Sequence, residues 1–378
     1  MKVALLSNGI YPFVIGGIQK HSFYLAKGLA ERNIYVDVYH LSIDSSTAYS
    51  DYFSSEELKY ISFYELDFPT STKFPGHYIF NNYLHSKNLY RQIGNKKYDL
   101  IYAQGFTSWY FLKKNNFDDR IISNLHGLEM FQNPINWKNA ISSRLLRIPA
   151  KKIIKKSKAQ ISLGGKLTDI LIENSASKNS IYKIPNGIDK SWIIDKKSLE
   201  KHSSELVQFT FVGRNERRKG IIEIEEALNS LLEENVNFNF NFVGINESDL
   251  KIRSYKIKFY GLIRNEEEIK NILDKTDVLV CPSYSEGMPT VILEAMSRGC
   301  AIMATDVGAV SELVDEYNGR LIQGDIISGL QEGFRNFLRC DKDQLHSMKQ
   351  KSIQKVKKDY TWDKVIDDML EKIKNQIL

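Results

Sequence analysis

Three short stretches combine glycine, fixed charge and a helix start in the way needed to hold an anion. The first, residues 7–17, carries Gly9, Pro12 and the pair Gly16-Gly17 ahead of a helical pattern beginning at Ile18. Adjacent glycines permit positive φ and let a ligand approach backbone N–H groups at a helix N-terminus; an ordinary strand-to-helix turn would read the same. The second, residues 211–220, leaves a strand at Val212 through Gly213 and sets Arg214 and Lys219 on either side of a turn. A guanidinium fork and an ammonium point charge beside free amides suit a diphosphate. Most Arg/Lys clusters are solvated turns, and this one stands out by following a strand directly. The third is Glu286-Gly287-Met288-Pro289-Thr290 and the residues up to Met296. Pro289 is expected at the first helical position, where its missing N–H costs nothing. The amides of Met288 to Val291 then offer partial positive charge to an anion. Glu294 falls one turn after Thr290 on the same face, placed to accept hydrogen bonds from two vicinal hydroxyls such as a ribose carries. Glu286 can meet sugar hydroxyls at the other end of the diphosphate. The apolar neighbours Val291, Ile292, Leu293, Ala295 and Met296 predict that Glu294 is buried, and a buried carboxylate needs partners.

These loops need strands to end at them. Short β-branched or aromatic runs alternate with helical patterns along the whole chain, which predicts mainly parallel sheets covered on both faces. Candidate strands in the first half are residues 3–7, 35–41, 100–103, 121–125 and 159–163, with a helix over 18–32. Residues 42–57 are Ser/Asp-rich and read as a solvated loop. The pattern breaks near Pro185, and the polar stretch 190–205, with an apolar island at residues 192–194, reads as a link between domains. A second α/β series follows, with strands near 208–212, 238–243, 256–260, 278–281 and 301–304. Residues 361–378 read as one amphipathic helix through Trp362, Val365, Ile366, Met369, Leu370, Ile373 and Ile377. Ligands on such sheets bind outside the carboxyl ends of the strands, so two units of this kind predict a cleft lined by these loops.

The chain has 378 residues, 42% apolar and 26% charged, enough to bury a full core and to exclude wholesale disorder. Its net charge of +6 is too small and too spread out to name a nucleic-acid partner. Cys281, Cys300 and Cys340 fit neither a zinc cluster nor a disulfide framework. No apolar run approaches the ~18 residues of a membrane span, and the opening residues are too short for a signal h-region. A cytosolic α/β protein is expected. Neither G-x-G-x-x-G nor G-x-x-x-x-G-K-[ST] occurs, which argues against a nicotinamide oxidoreductase.

Gly16-Gly17, His126-Gly127, Pro185-Asn186-Gly187-Ile188-Asp189, Gly213-Arg214 with Lys219-Gly220, and Glu286 with Glu294 resemble, in order, the retaining GT-B glycosyltransferases of family four. His126 is followed by Gly127 where some members have Asp, and Gly308-Ala309 stands where many have two glycines. The resemblance implies two Rossmann-like α/β domains facing a cleft. Residues 1–189 would bind the acceptor and 190–360 a UDP- or GDP-sugar, with 361–378 packing back on the first domain. It implies no metal and no cofactor beyond the donor. Donor contacts would come from Gly16, Gly17, Asn186, Gly213, Arg214, Lys219, Glu286, Gly287, Met288, Pro289, Thr290 and Glu294, with Tyr260-Gly261-Leu262 bordering the base.

Transfer from such a donor develops negative charge on the diphosphate and oxocarbenium character on the sugar. Arg214, Lys219 and the helix amides would meet the first, and loss of either cation is expected to cost about 10²–10³ in rate. His126 ends a strand; alone it reads as structural, whereas the resemblance gives it contact with the donor sugar or the anomeric centre. Glu286 would position the sugar. Retention by front-face attack, with the leaving diphosphate taking the acceptor proton, is implied by the family. A nucleotide-sugar epimerase of the same fold, or a binding protein without turnover, are the competing readings.

Arg144, Arg147, Lys151, Lys155 and Lys158 recur at helical spacing opposite Leu146, Ala150 and Ile153, with Pro149 expected to kink or interrupt the helix. Residues 144–158 therefore read as a contact for anionic membrane, as suits a lipid-linked acceptor, or as a surface helix with its apolar side in the core. Aromatic residues are frequent in the first half, Phe74, Tyr78 and Phe80 among them. They read mostly as core; Tyr11 and Phe13, in the first loop, are the candidates for acceptor contact.

Overall fold

The computed structural model describes residues 1–42, 48–69, 76–114, 119–134, 136–175, 177–195 and 206–376, and of residues 138, 375 and 376 the backbone only. The chain forms two compact units: Met1–Asn186 with Trp362–Leu378, and Gly187–Thr361. Phe74 and Ile377 lie outside the described residues, as do 43–47 of the expected loop and 196–205 of the expected link.

The first unit contains β1 (Lys2–Leu6), α1 (Gly17–Ala30), β2 (Tyr35–Leu41), α2 (Ser55–Leu58), β3 (Ile61–Leu66), α3 (His77–Ile93) and β4 (Leu100–Gln104). It continues through α4 (Phe111–Lys114), β5 (Ile121–Asn124), α5 (Trp137–Lys156), β6 (Ala159–Ser162), α6 (Lys166–Asn174) and β7 (Ile181–Lys183). Its strands are all parallel, in the order β3-β2-β1-β4-β5-β6-β7. Helices cover both faces, so central strands such as β4 are buried at every residue. The second unit holds β8 (Gln208–Val212), α7 (Ile221–Glu233), β9 (Asn239–Val243), β10 (Ile257–Phe259), α8 (Glu266–Asp274), β11 (Val278–Cys281) and α9 (Thr290–Ser297). After these come β12 (Ala301–Thr305), α10 (Val310–Leu313), β13 (Gly319–Ile322), α11 (Ile326–Arg339) and α12 (Lys342–Asp359). This sheet is also parallel, in the order β10-β9-β8-β11-β12-β13, and its core is rich in phenylalanine, including Phe209, Phe240, Phe242 and Phe334.

In both sheets the strand order reverses once, between β1 and β4 and between β8 and β11, and such reversals open ligand crevices at the carboxyl ends. The expected strands stand with ends shifted by a residue or so. β3, β7 and β13 are additional to them, and α2 lies inside the expected loop. The expected link is not all linker: Trp192 is buried and Ile194 packs with Ile353 inside the second unit. The last helix, α13 (Trp362–Gln376), belongs to the first unit, where Trp362, Val365, Ile366, Met369, Leu370 and Ile373 join the core of β1 and α1. Arg32, in the turn after α1, anchors it further, with Nε 2.7 Å from Asp367 Oδ1.

Pro149 does not interrupt α5, which runs unbroken from Trp137 to Lys156. The carbonyl its ring leaves without an amide partner is that of Leu145, an exposed residue.

Candidate functional site

The second unit gathers the charged loops at its reversal point. The loop after β8 runs through Gly213 into a 3₁₀ turn, Arg217–Lys219, and reaches α7 through Gly220 at φ 73°. A Cβ added to Gly220 would lie 2.2 Å from the carbonyl oxygen of Pro282, in the loop after β11, so only glycine allows this approach. The amide of Tyr284 donates to the Arg218 carbonyl at 2.8 Å and ties the two loops together. A second brace is built on Glu223 of α7, whose carboxylate receives both Arg217 Nη atoms at 2.6 and 2.9 Å and the Tyr284 hydroxyl at 2.7 Å.

On this frame Lys219 Nζ lies 2.6 Å from Glu286 Oε1, and both side chains are largely buried. Arg218 approaches the other carboxylate oxygen of Glu286 to 3.4 Å and also contacts the Ser285 carbonyl and Glu216. Arg214, by contrast, is 75% exposed and lies 3.0 Å from Glu216. The structure therefore brings Lys219 and Glu286 together and adds Arg218 as the second cation at Glu286, a residue that sequence reasoning did not single out. The signal was present in the basic run Arg217-Arg218-Lys219, which offers more than one cation to a neighbouring carboxylate.

Pro289 caps α9 and is not its first helical residue: its ψ of 117° is extended, and helical geometry begins at Thr290. The amide of Ile292 turns back to the Pro289 carbonyl at 3.1 Å, a tight first turn that accounts for the one-residue offset. Glu294 is buried one turn further on. Gly287 is braced from behind, where its carbonyl accepts from the Ala309 amide at 2.8 Å. A Cβ on Gly308, at φ 57°, would fall 2.2 Å from the Glu286 carbonyl oxygen, so Gly308 fixes how closely that loop packs. Met288 is buried. Cys281 ends β11 beside this site, but burial pushes its thiol up to about 11, which leaves it protonated and unfit as a nucleophile. Tyr260, Gly261 and Leu262 lie on the same edge: Gly213 bonds to the Val243 carbonyl, and Gly244 in turn to that of Gly261. Leu262 is exposed there.

The first unit presents a different chemistry. Neither Gly16 nor Gly17 takes the positive φ that their pairing suggested; Gly9, at φ 128°, makes the bend, and Gly16 is extended at φ 168°. Nothing lies within 4 Å of a Cβ built on Gly17, so the start of α1 is open. Tyr11 and Phe13 are half-buried and pack against the core, Phe13 edge-on to Tyr49 and Tyr52 and Tyr11 edge-on to Phe23. Asn186 is buried at the last position of this part of the unit.

His126 follows β5 at φ 57°, a left-handed conformation uncommon for a residue with a side chain and typical of functional positions. Asn124 holds it there, its Oδ1 accepting the His126 amide at 2.9 Å. The His126 Nε2 meets Gln104 Oε1, and Gln104 Nε2 lies 2.9 Å from Nδ1 of the buried His21. Burial, with His21 adding to it, holds the His126 imidazole well below its usual range, so it is neutral. His21 and Gln104 escaped sequence reasoning because a histidine and a glutamine 83 positions apart leave no local pattern.

Two family models divide the chain: "Glycosyltransferase Family 4" matches residues 15–192 and "Glycosyl transferases group 1" matches residues 193–355. Among curated relatives, the putative teichuronic acid biosynthesis glycosyltransferase TuaC of Bacillus subtilis is 35% identical over 34% of this chain and 32% of its own length. The uncharacterized glycosyltransferase MJ1178 of Methanocaldococcus jannaschii is 26% identical over 97% of this chain and 96% of its own. An Escherichia coli UDP-Gal:alpha-D-GlcNAc-diphosphoundecaprenol alpha-1,3-galactosyltransferase is 31% identical over 38% of this chain and 41% of its own. Sucrose-phosphate synthase of Thermosynechococcus elongatus shares the fold with a TM-score of 0.78 at 18% identity, covering 99% of this chain and 98% of that one. Anabaena HepE, solved in complex with UDP-glucose, does so with a TM-score of 0.70 at 16% identity, covering 99% and 100%. With two parallel α/β units and both models matched in sequence, the chain belongs to the glycosyltransferases of the GT-B class.

Proposed function

We propose that this chain is a retaining glycosyltransferase. It moves a sugar from a UDP- or GDP-sugar to a glycan or lipid-linked glycan during cell-surface polysaccharide, lipopolysaccharide or glycolipid synthesis, without a metal, on the cytoplasmic side of a membrane. The observation that carries the reading is the pairing of Lys219 with Glu286, flanked by Arg218, beside the loop that leads into α9. Lys219 has three N–H donors and Glu286 engages one, so a diphosphate can be met without breaking the pair. Glu286 would orient the donor sugar, Glu294 the ribose, and Tyr260 to Leu262 the base, while Arg214 closes on the phosphates from solvent. In the first unit, His126, Gly16, Gly17 and Asn186 would meet the sugar end of the donor, and Tyr11 and Phe13 the acceptor. Charge developing on the leaving group is then met by fixed cations and backbone dipoles, an arrangement that needs no reorganisation.

The test is a thermal-shift screen with UDP, GDP and ADP in EDTA, followed by slow hydrolysis of the matching donor sugars. Stabilisation by one diphosphate together with release of a sugar of unchanged anomeric configuration supports the proposal. A chemically altered free sugar would point to the epimerase reading. No stabilisation by any diphosphate would favour a protein without turnover.

A lipid-linked acceptor calls for a membrane, and α5 offers a surface for one through residues 144–158. Of the expected basic stripe, Arg144, Lys151, Lys155 and Lys158 are exposed, while Arg147 is half-buried and donates to the Met130 carbonyl at 2.6 Å; Ala150 and Ile153 are buried, as expected of an apolar side in the core. The outer face also shows Trp137 (69% exposed), Ile141, Leu145 and Ile148 ahead of Lys151 and Lys155. An apolar ridge continued by cations suits an anionic lipid surface, at about 1 kcal/mol per charge. Among the described residues no helix is long and apolar enough to cross a membrane. Liposomes rich in anionic lipid should sediment the protein at low salt, and Trp137→Ser with Ile148→Ser should weaken this. No sedimentation of the unaltered protein would remove the membrane from the proposal.

A further inference from the structure

The proton on His126 can be located by following hydrogen bonds inward from the loop after β1. Ser7 Oγ lies 2.6 Å from the Gly9 carbonyl and 2.8 Å from Ser22 Oγ, and Ser22 Oγ lies 2.8 Å from the Ile18 carbonyl. These contacts compete for the two hydroxyl protons, and a carbonyl can only accept. No hydroxyl proton is left for Gln104, whose side-chain amide lies 3.1 Å from Ser22 Oγ. Gln104 must therefore donate there, and its Nε2 also serves His21 Nδ1 at 2.9 Å. That orientation turns Gln104 Oε1 toward His126, and an amide oxygen accepts, so the His126 Nε2 carries a proton. The His21 and His126 rings meet edge to face at 5.0 Å, and Tyr102 and Trp362 close the far side of His21. In this enclosure a neutral imidazole has only the one N–H.

We infer that Gln104, braced by His21 and Ser22, holds His126 as its neutral Nε2–H tautomer, so that His126 meets a ligand through Nδ1, accepting a hydrogen bond from a hydroxyl, and does not act as an acid. Gln104, His21 and Ser22 are positioning residues in this scheme, analogous to the outer groups that fix the tautomer of a ligating histidine. That the hydroxyl belongs to a sugar rests on the proposed function; the tautomer does not.

Long-range ¹H–¹⁵N correlation of the ligand-free protein labelled at histidine nitrogens reads the tautomer directly, with His126→Gln assigning the resonance. The expected His126 pattern at pH 7 is a protonated Nε2 and a pyridine-like Nδ1. Gln104→Leu, which keeps the volume and removes the acceptor, should shift the pattern toward a mixture of tautomers. A protonated Nδ1 in the unaltered protein, a doubly protonated ring, or an unchanged pattern in Gln104→Leu would each overturn the inference. Should Gln104→Leu fail to fold, the unaltered protein alone decides. Because no substrate is present, the result stands whether or not a donor sugar is ever turned over.

Discussion

The two units use the same sheet topology and fill the carboxyl ends of their strands with opposite chemistry. In the first, the buried groups around His126 at the ends of β4 and β5 are neutral: His21, Ser22, Gln104 and Asn124. In the second, the loops after β8 and β11 carry charge as pairs: Lys219 with Glu286, and Arg217 with Glu223. Neutral networks fix geometry and tolerate an uncharged polyhydroxylated partner, since nothing in them must be compensated. Paired charges are held in readiness for an anion, which can share the cation. A parallel α/β sheet thus specifies where a site forms, and the side chains at its edge specify what it can hold.

The largest effect that would sharpen this contrast is on turnover. Lys219→Ala removes the buried cation of the second unit and should lower kcat by about 10²–10³, while circular dichroism and melting remain those of a folded chain. Near-normal kcat would break the assignment of the second unit to the anion.

A smaller effect separates the units by acid. Burial lowers the imidazoles of His21 to about 3 and His85 to about 4, and lowers His40 and His126 as well. Each is neutral when folded and takes a proton when unfolded below about pH 6.5. The folded value lies below the unfolded one, so stability present above pH 6.5 drains away as pH falls toward 4, by about 1.4 kcal/mol per pH unit for His21 and for His85, with His40 and His126 acting in the same direction. Hydrogen exchange, corrected for its intrinsic pH dependence, should show β4 and β5 losing protection between pH 7 and pH 5 while β11 and β12 keep theirs. Equal loss in both units would contradict the contrast.

Much of this was legible in the sequence because it is local. Residues 286–294 place a loop, a cap and a buried carboxylate within a few positions, and the structure departs from that reading by one residue at Pro289. Strands buried on both faces announce themselves as apolar runs, which is why β1, β2 and β11 were expected and the half-exposed β3, β7 and β13 were not. What could not be read depends on distant parts meeting. Gln104 with His126, and Arg218 with Glu286, come together only through strand order and loop packing. On α5 the helical period was correct, but Arg147 is drawn down from the exposed basic stripe by the carbonyl of Met130.

The membership of α13 in the first unit has a consequence for how the polypeptide comes into being. As the chain leaves the ribosome, β1 and α1 emerge with Phe23, Ala26 and Leu29 directed at a core whose remaining wall, residues 362–376, follows only after the whole second unit. Residues 187–361 are contiguous and can close during synthesis. The nascent first unit therefore keeps an open apolar seam until the second unit has been made.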